Sequence, residues 1–327
     1  MKRFKNILFA RSAKHSEVAL AHALTLARHN QAGLTFLETP GEIPDVSVFG
    51  LPNETVNQFK DAALKASRED MQQLARLGDD DTEVEFRTVE GIRFLTIIRE
   101  VLRREHDLVV KAADGKEGLL SHLFSTTDMH LLRKCPSPLW LVKPDGSKEI
   151  NRIVAAVDFD LPYGSGVNDA LNKQILKMAV SLAHMEGAQL HVVHAWQALS
   201  DLPLSGMQSG MGTGIPEFME SKEELAQMQT SKERKLSKLI DGVRGGAEAE
   251  VYDAVKPEIH VIRGSAQQVI VEQTRVLDAD LLIMGTVGRV GISGVFIGNT
   301  AEAILNEIDC SVLAIKPAGF KSPVTLE

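Results

Sequence analysis

The chain is expected to fold as an α/β protein of two tandem, doubly wound domains, each built on a five-stranded parallel sheet. Three observations predict this: an internal repeat, short apolar runs alternating with helix-period segments, and connections between strands long enough to hold a helix. Displacing the chain by 173 residues lays Gly91 to Pro144 on Gly264 to Pro317 without a gap. Gly91 then meets Gly264, Ile97 meets Ile270, Asp107-Leu108 meets Asp280-Leu281, Gly115 meets Gly288 and Gly118 meets Gly291. Thr127 meets Thr300, Leu132 meets Leu305, and Lys143-Pro144 meets Lys316-Pro317. The starts correspond too, Lys5-Asn-Ile-Leu-Phe-Ala10 with Asn151-Arg-Ile-Val-Ala-Ala156. The polar segment Asp145 to Glu149 joins the copies, so the expected domains are 1–145 and 150–318, with a tail over 319–327.

In the first half, Ile7 to Ala10 reads as a short buried strand, and Leu20, Ala23, Leu24 and Ala27 recur at helical spacing until Gly33 stops the helix. Leu34 to Leu37 is the second strand. A long charged helix follows over about Val56 to Leu77, and Glu83 to Val89 alternates as the third strand. Phe94 to Leu102 reads as helix, Leu108 to Val110 as strand, Thr127 to Arg133 as helix and Leu139 to Val142 as the last strand. The second half repeats this order with strands at Ile153 to Val157, Leu190 to Ala195, Ile259 to Ile262, Leu281 to Met284 and Val312 to Ile315. Leu204 to Pro216, rich in Gly and Met, breaks the repeat ahead of a helix around Glu220 to Ile240. It reads either as a lid over a cleft or as a plain surface insertion.

Composition excludes several classes. With 44% hydrophobic and 24% charged residues the chain has ordinary globular usage. Only 5% is aromatic, too little for a base-stacking platform, and a net charge of −8 has the wrong sign for binding nucleic acid through counterion release. Cys135 and Cys310 have no CxxC spacing and read as buried thiols, which fits a reducing compartment. The basic start Met1-Lys-Arg-Phe-Lys5 leads into no signal-peptide core, and the longest uncharged stretch, Val290 to Ala301, is well short of the roughly 18 residues of a membrane span. A cytoplasmic protein is expected.

The richest local signal is Met284-Gly-Thr-Val-Gly-Arg-Val-Gly-Ile-Ser-Gly-Val-Phe-Ile-Gly-Asn-Thr300, between a predicted strand and a predicted helix. Glycines let backbone N–H groups approach a phosphate, and a helix capped by Asn299 or Thr300 would turn its positive end to the same anion. Open α/β sheets bind ligands at this position. The spacing is neither GxxxxGK[ST] nor GxGxxG, so a phosphate cradle and a structural glycine turn both remain open. Arg289 reads as a phosphate partner or as a solvated side chain. Gly291-Ile-Ser-Gly-Val295 is one glycine short of a nucleophile elbow, and Asp79-Asp-Asp81 after Gly78 reads as a solvated turn. His191 and His194, three apart on a strand, face opposite sides and cannot share a metal, so no metal site is expected.

On these residues the sequence resembles the universal stress proteins, whose nucleotide-binding members carry G-x2-G-x9-G followed by Ser or Thr. Gly285, Gly288 and Gly298 match that spacing, with Asn299 in the place of the Ser or Thr. Both halves share the resemblance, as in tandem-domain members. It implies that Asp158, in Ala155-Ala-Val-Asp158, contacts the adenosine part of ATP, and that Ala156, Ala195 and Met284 line the adenosine pocket. Gly288, Gly298, Asn299 and Thr300 would face the phosphates. In the first half Ser12 stands for Asp158, Ala112 for Gly285, Ser125 for Gly298 and Thr126 for Asn299, which implies a degenerate domain without the nucleotide site.

The resemblance implies a cytoplasmic stress-response protein that holds ATP or a related nucleotide, with or without Mg, in its second half. Sensing or signalling, with slow hydrolysis at most, is the expected mode. The alternative is a scaffold or carrier with a different ligand, phosphate-bearing or partly apolar, or none. Family members commonly dimerise, which implies an internal pseudo-dimer of the two halves, with a homodimer of the whole chain as a further assembly.

Overall fold

Runs of Val, Ile, Leu and Phe without polar alternation form the centre of one sheet, as strands covered on both faces require. The computed structural model describes residues 3–12, 17–39, 84–115, 123–159, 165–201, 220–245, 249–287 and 297–326, with scattered positions over 52–73. The first half supplies β1 (Asn6–Ala10), β2 (Gly33–Glu38), β3 (Val84–Thr88), β4 (Leu108–Ala112) and β5 (Leu139–Val142). The second supplies β6 (Arg152–Ala156), β7 (Gln189–Trp196), β8 (Glu258–Arg263), β9 (Leu281–Gly285) and β10 (Ser311–Ile315). All ten share one sheet in the order β3-β2-β1-β4-β5-β10-β9-β6-β7-β8. Every pairing inside a half is parallel. The halves meet at β5 and β10, which run antiparallel with Trp140 opposite Leu313.

The expected alternation decides which helix covers which face. Along β9, Leu281 and Ile283 point into one core layer and Leu282 and Met284 into the other. The first layer is closed by α1 (Glu17–Asn30), α4 (Ser165–Glu186), α5 (Lys222–Arg244) and α6 (Ala249–Val255). The second is closed by α2 (Arg93–Arg104), α3 (Thr126–Lys134), α7 (Ala266–Val276) and α8 (Asn299–Glu307). Both faces are thus helix-covered, the doubly wound arrangement. Of the helix expected over 56–77, the described positions are helical. Residues 204–216, 79–81 and 291–295, the sites of three sequence expectations, lie outside the described residues.

Two local expectations change. Gly33 does not stop α1 but opens β2; the chain reverses at Gln31, whose φ of 53° puts it in the left-handed region. The Ala32 N–H then donates to the Ala27 carbonyl (2.9 Å) and the Gln31 N–H to the Arg28 carbonyl (3.1 Å), the two bonds of a Schellman turn. Gly187 (φ 68°) makes the same reversal in the second half, so one copy uses glycine and the other does not. Helix α6, seven residues long, has no sequence forecast; Tyr252 seats it on the first core layer.

Over 319–326 the tail crosses back to the first half, where Arg99 and Arg103 donate to the carbonyls of Thr325 (3.0 Å) and Leu326 (3.2 Å). Cys135 and Cys310 are free and buried, and burial pushes their thiols up to about 11 and about 12, far from a reactive thiolate. No described helix is long and apolar enough to cross a membrane.

Candidate functional site

Parallel strands bring their C-terminal ends to one edge, and in the second half the ends of β6 and β9 lie side by side. Ala156 and Met284 are register partners there, and with Ala195 of β7 they pack on the same core layer. Three residues separated by up to 128 positions thus form one small apolar floor. Asp158 is exposed just beyond β6, with its backbone clamped by a buried side chain of α4. The Asp158 N–H donates to Asn172 Oδ1 (3.1 Å), and Asn172 Nδ2 donates to the Asp158 carbonyl (2.7 Å). Asn172 escaped the sequence reading; α4 also carries Asn168 and Gln174, so an amide there has no distinguishing local signal.

Gly285 and Gly298 sit differently. A Cβ on Gly285 would stand 2.8 Å from Leu171 Cδ2, so close packing of α4 on β9 accounts for that glycine. At Gly298 a Cβ would meet nothing within 4 Å among the described residues. The base of the glycine-rich segment is tied shut, because the Gly298 N–H donates to the Thr286 carbonyl (3.0 Å). Lys316 braces the same point: its buried ammonium donates to the Thr286 hydroxyl and, across the sheet, to the Leu132 carbonyl of the first half. Burial pulls that ammonium down to about 8. Gly288 and Arg289 lie outside the described residues.

The start of α8 corrects the expected cap. Gly298, with φ −62° and ψ 138°, is the N-cap and carries no side chain to bond the helix, while Asn299 and Thr300 are its first two helical residues. An amide or hydroxyl already inside the helix does not take the N-cap role, so among the described residues no side chain caps the first turn. Its positive end opens beside Asn299 and Thr300, both exposed.

The sequence model of the Universal stress protein family matches residues 3–143 and again 149–316. The chain belongs to the universal stress protein family. Among relatives of this family, Universal stress protein E of Salmonella typhi is 33% identical over 242 residues, covering 72% of this chain and 68% of that one. The Universal stress protein E homolog of Haemophilus influenzae is 27% identical over 330 residues, covering 97% and 98%. A universal stress protein from Archaeoglobus fulgidus has a similar fold, with a TM-score of 0.59 at 14% identity over 95% of this chain and 98% of that one. A functionally unknown protein from Pseudomonas aeruginosa PAO1 gives 0.66 at 23% identity over 96% and 93%.

The first universal stress domain treats the same location in the opposite way. Ser125, at the position of Gly298, caps α3 in a complete capping box with Asp128. Asp128 Oδ2 accepts from the Ser125 N–H (2.9 Å), the Ser125 hydroxyl (2.9 Å) and the Asp114 N–H (2.9 Å). Its Oδ1 accepts from Lys111 Nζ (2.8 Å), and both side chains are fully buried. Lys111 also reaches Asp114 at 2.7 Å. In the second domain these positions are Met284 for Lys111, Val287 for Asp114, Gly298 for Ser125 and Ala301 for Asp128. The first domain therefore places its own carboxylate and counter-cation at the helix start; the second has neither among these residues. Ser12, at the position of Asp158, is likewise turned inward, its hydroxyl donating to the Ala112 carbonyl (2.7 Å).

A separate open groove of about 1130 Å³ lies where β1 and β4 begin, lined by Arg3, His106, Lys173 and Lys177 among others. None of the expected site residues lines it.

Proposed function

We propose that the second domain binds an adenine nucleotide, ATP or a related one with or without Mg, and that its occupancy serves sensing or signalling in a stress response. One observation carries the reading: among the described residues no side chain caps the start of α8, at the position where the first domain supplies the Asp128 carboxylate. The Gly298 N–H is already given to Thr286, so a phosphate would there accept the orphan N–H groups of the first turn of α8. Ala156, Met284 and Ala195 would take the flat adenosine, Asp158 its polar edge, and Gly285, Gly288, Arg289, Gly298, Asn299 and Thr300 would surround the phosphates. Asp158 sits at the adenosine end, poorly placed to activate water on a phosphate, which favours occupancy over rapid turnover. The filled first domain would then act as a partner in an internal pseudo-dimer, a reading supported by the β5–β10 pairing. Free, buried cysteines support a cytoplasmic location.

Calorimetric titration of ATP tests this. Binding at one site per chain, lost in Gly298→Val and unchanged in Ser125→Val, is the expected result. Asp158→Ala is expected to weaken it by about 1–3 kcal/mol, the cost of a charge-assisted hydrogen bond. Undiminished binding by Gly298→Val would transfer the assignment to a carrier of another ligand.

A further inference from the structure

At the far edge of the sheet, β7 and β8 place three potential ligand atoms together. His191 is register partner to Glu258, and Val193 to His260, so His191, Glu258 and His260 share one face of the strand pair. His191 Nδ1 lies 3.1 Å from His260 Nε2 and 3.5 Å from Glu258 Oε2, and all three ligand atoms lie within 4.8 Å of one another. Metal–nitrogen bonds of 2.0–2.1 Å in a tetrahedral site separate neighbouring ligand atoms by about 3.3 Å. The separations of 3.1 and 3.5 Å bracket that value, and the third pair lies within 4.8 Å.

His191 is only 4% exposed, and its other ring nitrogen, Nε2, is buried with no hydrogen-bond partner among the described residues. The ring is therefore oriented through Nδ1, the atom aimed into the cluster. Arg152, a cation close enough to act on His191, is paired with Asp278 at 3.0 Å. Two imidazoles and one carboxylate suit a borderline ion such as Zn2+ and not Ca2+ or Mg2+, which take all-oxygen shells.

We propose that His191 Nδ1, His260 Nε2 and a Glu258 carboxylate oxygen form a three-ligand site for a zinc-type divalent ion, with water in the fourth position. The ion clips the edge strand β8 to β7. The site is distinct from the nucleotide end of the domain: Ala195 lies four residues further along β7, about 13 Å away at strand rise. It holds whether or not a nucleotide binds.

The test uses the full chain, stripped with a chelator and dialysed against Zn2+ or Co2+. One ion per chain is expected, with the intense visible bands of tetrahedral Co2+ and a rise in melting temperature on adding Zn2+. His260→Ala, at a half-exposed edge position, is expected to abolish the bands and to weaken binding by more than the roughly 10–100-fold lost with an outer-shell partner. Glu258→Gln should weaken binding less, and His184→Ala, an exposed histidine elsewhere, not at all. If His260→Ala alters the circular dichroism of the chain, His260→Gln is read in its place. No stoichiometric ion in the unmodified chain, or equal affinity in the His260 variants, overturns the proposal and leaves only a hydrogen bond between two imidazoles.

Discussion

Gly285 and Gly298 belong to one sequence pattern yet are glycine for different physical reasons, and the difference is measurable. Valine at Gly285 must displace Leu171 from α4, an overpacking expected to cost about 1–3 kcal/mol. Valine at Gly298 would meet no described residue within 4 Å at an extended N-cap, so no more than about 1 kcal/mol is expected. Urea unfolding of the two variants checks this; equal losses would contradict the packing account. His106 supplies a second test at this scale. Burial pushes its imidazole down to about 4 from 6.5. Between those values the unfolded chain binds a proton that the folded one refuses. The neutral ring's contribution is therefore complete above pH 6.5 and is lost as the pH falls through about 4. At about 1.4 kcal/mol per unit it has an upper limit of about 3 kcal/mol, which solvent screening reduces, and His106→Gln should flatten that part of the stability profile. An unchanged acid slope in this variant would exclude His106 as its source.

Among the elements, β4 and α3 are joined by a charge pair that the corresponding β9 and α8 do without. Removing one member of a buried pair strands the other, so Lys111→Met or Asp128→Ala alone should cost about 3–5 kcal/mol. Lys111→Met combined with Asp128→Ala installs the second domain's own residues and should cost clearly less than the sum of the single changes. Additive losses in denaturant unfolding would show that the pair is not coupled. The clamp from α4 to β6 works similarly: Asn172→Ala leaves the Asp158 N–H and carbonyl without those bonds. ATP affinity should then fall while the described sheet persists, as titration and circular dichroism would report; unchanged affinity would mean that the clamp does not position Asp158.

Across the whole molecule, two five-stranded sheets become one through β5 and β10, and the contact is reinforced reciprocally. Lys143 reaches Asp309 at 2.9 Å in the second half, and Lys316, its counterpart in the repeat, reaches the Leu132 carbonyl in the first. Separating the halves would expose the edges of β5 and β10 together with Trp140 and Leu313, which are almost fully buried. Either half expressed alone should therefore self-associate or aggregate. A monomeric second half in sedimentation would show that it does not need this partner. The tail held by Arg99 and Arg103 adds a tie from one domain to the other.

Local chemistry made much of this molecule legible in its residues. Apolar runs such as Leu139–Val142 are strands because a sheet covered on both faces leaves no place for polar alternation, and the repeat at 173 places each strand of one half on its counterpart. Chain reversal was less legible, since Gln31 adopts the left-handed turn that Gly187 performs in the other copy. Longer-range relations had no local signature. His191 and His260 are 69 residues apart and meet because β7 and β8 pair in one register, in which a slip of one residue would turn His260 to the other face. The Lys111–Asp128 pair, the clamp by Asn172 and the antiparallel joint at Trp140 arise in the same way. Each depends on which strands become neighbours and how α3 and α4 lie on them, and distant packing sets both.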